Sequence, residues 1–280
     1  YVQWETGALI ERAHRFKPDI AFVVDGRKFI DRFRKEPDLR DVLGGGKTAA
    51  WLLGQPYEYP STKRWAPRFD YVFSNDRSTV DLYSNGHYLA CCYDPVVHYD
   101  DGRERKYDVG FIGAGKKCSW GARETVLEEL IDAGLIDYVI GGKFYNVRVR
   151  EFAGPRLITP HEVAEYYRST KIIINIFRRW SPRRRNTIEP YSLNPRCYEA
   201  AACGALLLSE ERPAFEEHDM DCELFWGNNT RINTEMLKWN IQNCLDVRDW
   251  HKPPEWPGKT EHTYEARLRE MLRVTTGWEE

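Results

Sequence analysis

Short apolar runs alternate with helix-like segments along the whole chain of 280 residues. Residues 20–24 (IAFVV) and 171–177 (KIIINIF) are typical of buried strands, whereas residues 8–16 (ALIERAHRF) have the apolar spacing of an amphipathic helix. Strands that alternate with helices pair in parallel and are covered by those helices. The order therefore predicts an α/β fold.

A charged stretch at residues 98–106 (HYDDGRERK) separates two halves that each repeat this alternation. We predict a Rossmann-like, doubly wound domain in residues 1–100, a second one in residues 107–258, and a closing helix in residues 259–280. Ligands bind such sheets at the carboxyl ends of their strands, so we expect the site in a cleft between the two domains. The closing helix should cross back to the N-terminal domain through an apolar stripe. That stripe consists of Tyr264, Leu268, Met271 and Leu272.

The composition excludes several classes of protein. Hydrophobic residues make up 42% and charged residues 30%, which suffices for a packed core and argues against global disorder. No run of about 18 apolar residues occurs, so membrane insertion is not expected. The seven cysteines are odd in number and show no C-x-x-C spacing, which indicates reduced thiols and a cytoplasmic location.

Positive charge is concentrated in the middle of the chain. Residues 103–185 carry 17 basic and 10 acidic side chains, whereas residues 186–280 carry 10 and 18, within a net charge of −2. This asymmetry predicts a local site for an anion. Arginines after the strand KIIINIF suit phosphate groups, and we select Arg178, Arg179 and Arg183 as contacts for a phosphate or an acceptor. A solvated basic loop is the alternative.

Two further segments carry candidate ligand contacts. Gly113 and Gly115 follow a predicted strand and precede a helix, where glycines let the backbone approach a phosphate. Arg196 and Glu199 lie three residues apart in NPRCYEAAACGALLLSE and share one helix face. The arginine would meet an anion, and the glutamate could accept the hydroxyls of a ribose. An ion pair on a solvated helix face explains the same pattern.

From about Ala8 to Leu272, the chain resembles the CgeB-like glycosyltransferases, which have the GT-B fold. The resemblance rests on ERAHRFKPDIAFVVDG, KTAAWLLGQPY, FDYVFSND, GHYLACCYDPVVH, YDVGFIGAG, KIIINIFRR and, above all, NPRCYEAAACGALLLSE. It implies that Arg196 and Glu199 contact a nucleotide-sugar donor on the second domain, and a UDP-sugar is the expected donor. It also implies no metal and an acceptor held by the first domain. The predicted donor set is completed by Gly113, Gly115, Arg123, Asn175 and Asn194; for Asn175, a hydrogen-bonded amide in the core is the alternative.

A general base, if the reaction uses one, should come from the N-terminal half. Asp25 ends the strand IAFVV beside Gly26 and is the first candidate; capping of the next helix is the alternative. His98 and Asp94 are the next candidates, because they follow the last strand of that half.

We therefore predict a glycosyltransferase, a hexosyl- or pentosyltransferase, that moves a sugar from a nucleotide donor to an acceptor hydroxyl. The expected acceptor is a carbohydrate, a protein or modified DNA. The arginine-rich segment raises one alternative, a phage-type DNA glycosyltransferase acting on hydroxymethylated bases. A catalytically inactive structural or scaffold protein with the same fold is the other. A bacterial or phage-infected cytoplasm is the expected setting.

Overall fold

The computed structural model describes residues 6–24, 38–115, 121–154, 158–178, 188–225, 233–250, 252 and 254–278. The chain forms two compact units. The N-terminal unit comprises Tyr1–Cys91, Asn186–Ser192 and Glu265–Glu280, and the C-terminal unit comprises Cys92–Arg185 and Leu193–Tyr264.

The sheet of the N-terminal unit has four parallel strands in sequence order. They are β1 (Ile20–Val24), β2 (Lys47–Leu52), β3 (Tyr71–Ser74) and β4 (Gly86–Tyr88). Helices α1 (Thr6–Phe16), α2 (Leu39–Val42) and α3 (Tyr59–Thr62) connect or precede them. Because β1 lies at the edge of the described sheet, its residues are only half-buried or exposed, although its apolar sequence predicts full burial.

The sheet of the C-terminal unit has five parallel strands in the order β6-β5-β7-β8-β9. They are β5 (Tyr107–Gly113), β6 (Tyr138–Gly141), β7 (Thr170–Asn175), β8 (Leu206–Glu210) and β9 (Cys222–Phe225). The helices are α4 (Gly121–Asp132), α5 (Val147–Phe152), α6 (Pro160–Arg168), α7 (Pro195–Ala202), α8 (Ala214–Glu217) and α9 (Thr234–Val247). Both described sheets are parallel and are accompanied by helices, so the α/β prediction is confirmed.

The central strands of this sheet are buried on both faces. Residues 172–175 in β7 and all of β8 are buried, which explains their nearly continuous apolar sequences. Helix α7 ends before Gly204, whose φ of +75° lies in the left-handed region that glycine adopts without strain. The chain can therefore turn directly from α7 into β8.

The closing helix, α10 (Tyr264–Thr276), lies almost entirely in the N-terminal unit. Its Arg267 Nε donates to the carbonyl of Ala90 at 2.9 Å, and Lys47 Nζ donates to the carbonyl of Thr275 at 2.8 Å. The apolar stripe is wrong in detail. Met271 is buried, but Tyr264 and Leu268 are 52% and 44% exposed, because the inward face instead repeats every four residues. That face carries Arg267, Met271 and Thr275.

Two short elements complete the N-terminal unit. Residues 77–82 form a 3₁₀ helix, and the strand that follows it is limited to Gly86–Tyr88. Six of the seven cysteines lie in the described part of the chain, and no disulfide joins any two of them. Within that same part, no helix has the length and apolar character that crossing a membrane requires.

Candidate ligand site at the switch point of the C-terminal sheet

The order of the C-terminal strands creates one switch point. From β5 the chain first moves outward to β6, and then returns to the other side of β5 to form β7 and β8. The two connections leave β5 and β7 in opposite directions, which opens a crevice at their carboxyl ends. Gly113 ends β5 and Asn175 ends β7, so both residues lie at this crevice.

Helix α7 brings Arg196 to the same place. Its Nη1 donates to Oδ1 of Asn175 at 2.7 Å, and its guanidinium lies 5.0 Å from the ring centroid of Phe111. A Cβ added to Gly113 would lie 2.6 Å from Nη2 of Arg196. The absence of a side chain at Gly113 therefore makes room for the guanidinium.

Arg196 keeps the N–H groups of Nη2 available for a ligand. Within the described residues, neither Nε nor Nη2 has a hydrogen-bond partner, and Nε is buried. The guanidinium of Arg123 also lies 5.5 Å from the ring centroid of Phe111, so two cations flank one ring. This concentration of positive charge favours an anion at the switch point.

Glu199 lies three residues after Arg196 on α7 and is partly buried. Burial raises the pKa of its carboxyl group to about 7, although the neighbouring Arg196 lowers it. No described residue donates a hydrogen bond to this carboxylate. An unpaired carboxylate beside an arginine with free N–H groups can accept hydroxyls while the arginine binds an anion. We call Gly113, Asn175, Asn194, Arg196 and Glu199 the switch-point cluster.

Two residues predicted as donor contacts instead brace the local structure. Arg123 donates through Nη1 to the carbonyl of Ala114 at 2.7 Å and through Nη2 to the carbonyl of Ile176, and so ties together the chain after β5 and after β7. A Cβ at Gly115 would lie 2.2 Å from Oε1 of Glu124, so this glycine accommodates a carboxylate of its own unit.

Asn175 and Asn194 belong to one hydrogen-bond network. Nδ2 of Asn194 donates to Oδ1 of Asn175 at 2.9 Å, and Asn175 is 0% exposed. Nδ2 of Asn175 donates to Oγ of Ser209 at 2.8 Å. Because Asn175 is fully buried, the structure does not open its side chain to a ligand, contrary to the expectation of a direct donor contact.

The structure does not bring His98 to the switch-point cluster. Its ring is buried beside Arg168, which donates to the carbonyl of Val97 at 2.9 Å, and burial lowers the pKa of His98. Arg168 precedes β7, so about 20 Å of strand separate this place from the end of β7 at Asn175. Asp94 accepts a hydrogen bond from the backbone N–H of Val96 at 2.9 Å, which stabilises a turn.

The remaining candidates are less informative. Arg178 is partly buried, three residues beyond the end of β7. Asp25, Arg179 and Arg183 lie outside the described residues. Within the described part of the chain, no three His, Cys, Asp or Glu side chains come together in a way that could hold a metal ion.

Sequence reasoning missed two members of the site. Phe111 is 0% exposed and supports both guanidiniums, yet in YDVGFIGAG it resembles any other core residue of a strand. Ser209 binds Asn175 and is the one hydroxyl in the apolar run ALLLSE, a polar exception that could have marked it.

Comparison with known proteins supports a fold assignment. Residues 123–236, which begin within α4, end within α9 and contain the whole of α7 and β8, match a protein family described as glycosyl transferase-like. No curated protein matches the chain.

Solved structures resemble both units. Anabaena HepE in complex with UDP and glucose has a TM-score of 0.64 at 11% identity, over 98% of this chain and 81% of that one. Sucrose-phosphate synthase from Thermosynechococcus elongatus has a TM-score of 0.57 at 11% identity, over 96% and 76%. TarM, a protein of S. aureus, has a TM-score of 0.61 at 9% identity, and this chain spans only 58% of the TarM chain. With its two parallel sheets, the chain thus has the α/β architecture of the GT-B glycosyltransferase structures.

Proposed function

We propose that this protein is a glycosyltransferase that moves a sugar from a nucleotide donor to an acceptor hydroxyl. The observation that carries the proposal is the pairing, on one face of α7, of Arg196 and Glu199. Among the described residues, neither Nη2 of Arg196 nor the carboxylate of Glu199 has a hydrogen-bond partner, and Arg196 contacts Asn175 at the switch point. These two groups complement the diphosphate and the ribose of a nucleotide.

UDP is the nucleotide that we propose. The HepE structures contain UDP, UDP with glucose, or UDP-glucose, and a TarM structure contains UDP with Fondaparinux and alpha-GlcNAc-glycerol. A hexose or pentose would be the transferred sugar, and a carbohydrate, a protein or modified DNA the acceptor. We further propose that the protein is related to the CgeB-like glycosyltransferases, because of the motifs quoted above, and that it acts in the cytoplasm.

In this proposal the C-terminal unit stabilises the departing diphosphate. Negative charge grows on that group as the bond to the sugar breaks, and preorganised donors stabilise it most in the transition state. Arg196 would supply charged N–H donors, and the N-terminus of α7 contributes a favourable dipole. Glu199 would hold the ribose and thereby fix the position of the diphosphate. Asp25 stays our proposed general base.

A ligand screen tests this proposal directly. Thermal unfolding should be recorded with UDP, ADP, GDP, CDP and free uridine, because a ligand that binds only the folded protein raises its melting temperature. We expect UDP to stabilise the wild-type protein and to lose this effect in Arg196→Ala. Hydrolysis of UDP-sugars in the absence of acceptor would then identify the donor. Stabilisation by none of the nucleoside diphosphates would contradict the proposal and favour a non-catalytic protein.

A further inference from the structure

The amide of Asn175 has no unused hydrogen-bonding capacity. Its Oδ1 accepts from Arg196 Nη1 at 2.7 Å and from Asn194 Nδ2 at 2.9 Å. Its Nδ2 donates to Ser209 Oγ at 2.8 Å and to Cys197 Sγ at 3.3 Å. A side-chain amide offers two acceptor sites and two donors, so all four are occupied by protein.

The partners on both sides of the Asn175 amide determine the positions of its oxygen and its nitrogen. Oγ of Ser209 donates its own hydrogen to the carbonyl of Glu210 at 2.9 Å, so it can only accept from Asn175. Arg196 can only donate, and therefore requires the oxygen of the amide. Rotating the amide by 180° would set N–H against N–H at Arg196 and leave the Ser209 oxygen facing another oxygen. The network thus dictates which atom faces the guanidinium.

We infer that Asn175 is a positioning residue, which holds the guanidinium of Arg196 in the orientation that binds the donor diphosphate. This inference rests on the proposed function. Occupation of Nη1 by the amide, together with the ring of Phe111, fixes the plane of the guanidinium and leaves Nη2 for the ligand. An arginine held in this way loses less conformational entropy when it binds.

Two substitutions separate positioning from a general role in stability. Asn175→Ala removes the acceptor and frees the guanidinium. Asn175→Asp keeps the shape and the acceptor, but its negative charge competes with the diphosphate for Arg196. For both variants, calorimetry should show that the dissociation constant of uridine divided by that of UDP falls at least tenfold. Affinity for uridine itself should change less than threefold, because uridine lacks the diphosphate.

Ile174→Val is the matched control. Ile174 precedes Asn175 in β7, is fully buried in the core, and is replaced by a side chain one methyl group smaller. It should lower the melting temperature and leave the uridine-to-UDP ratio unchanged. A wild-type ratio in both Asn175 variants, or an equal loss of uridine and UDP affinity, would overturn the positioning role.

A measurement without nucleotide separates this inference from the proposed function. In ¹⁵N NMR spectra of the arginine side chains, the guanidinium of Arg196 should rotate slowly in the wild-type protein and rapidly in Asn175→Ala. If UDP does not bind the wild-type protein, the proposed function fails, while slow rotation would still show that Asn175 holds Arg196. Fast rotation in the wild-type protein would refute the positioning itself.

Discussion

Nη2 of Arg196 occupies the space that a side chain at Gly113 would need, since a Cβ there would lie 2.6 Å away from it. The end of β5 and the first turn of α7 therefore pack closely against each other, although they are more than 80 residues apart in the sequence. The φ of Gly113 lies outside the left-handed region, so its backbone conformation does not require glycine. Glycine is needed here because it leaves room for the guanidinium.

Gly113→Ala should displace the guanidinium of Arg196 and weaken UDP binding at least tenfold, equivalent to about 1.4 kcal/mol. Uridine binding should be almost unchanged, as measured by calorimetry. Gly154→Ala is a suitable control, because the added methyl group would meet its nearest atom at an ordinary 3.6 Å. Equal UDP affinity in the two variants would show that Arg196 tolerates a side chain at residue 113.

Arg196→Ala should lower the turnover number more than it weakens binding of uridine, because the charge that it meets grows in the transition state. The expected loss of transition-state stabilisation is about 2–4 kcal/mol, by analogy with the removal of one oxyanion donor. Steady-state kinetics with saturating UDP-sugar would measure it. Arg150→Ala, at an exposed position on α5, serves as the control. An unchanged turnover number would remove Arg196 from the mechanism.

Glu199→Gln should stabilise the ligand-free protein at pH 8. The folded-state pKa of this carboxyl group is raised to about 7 by burial, above the ordinary value of 4.5. Between these values the folded protein holds more protons than the unfolded chain, so stability falls as the pH rises through this range. At about 1.4 kcal/mol per pKa unit, replacement by an uncharged amide should add up to about 3 kcal/mol at pH 8.

Chemical denaturation at pH 5 and pH 8 would test this effect, with the exposed Glu216→Gln as the control. The same substitution should weaken UDP binding at pH 8, where the wild-type carboxylate is ionised and can accept ribose hydroxyls. If the free energy of unfolding changed between pH 5 and pH 8 by the same amount in Glu199→Gln and in the wild-type protein, burial of Glu199 would not be the cause of this pH dependence.

Asp76→Ala should loosen residues 191–192 within the N-terminal unit. The carboxylate of Asp76 is 1% exposed and accepts from the backbone N–H groups of Tyr191 at 3.1 Å and of Ser192 and Ser78 at 3.0 Å. When buried N–H groups lose a charged hydrogen-bond partner, the free energy of unfolding falls by about 1–3 kcal/mol. Amide hydrogen exchange in a peptide spanning residues 188–194 should accelerate more than tenfold. The exposed Asp81→Asn should leave this rate unchanged; equal rates in both variants would contradict the role of Asp76.

The sequence by itself determined the class of fold and the helix that carries the candidate site. The apolar runs of β7 and β8 are typical of strands buried on both faces, and Gly204 ends α7 because glycine adopts a positive φ without strain. Local pattern was sufficient in these places, since the cause and the structure lie within a few residues of each other.

Only the tertiary structure decided the roles of individual side chains. Sequence spacing placed Arg196 and Glu199 on one helix face, but not the approach of Arg196 to Gly113, Phe111 and Asn175. These contacts depend on strand order, because β5 and β7 become neighbours only when the chain returns from β6 to the other side of β5. Packing between distant segments, which no local pattern encodes, decided three further outcomes. It buried Asn175, left Leu268 exposed and kept His98 away from the carboxyl end of β7.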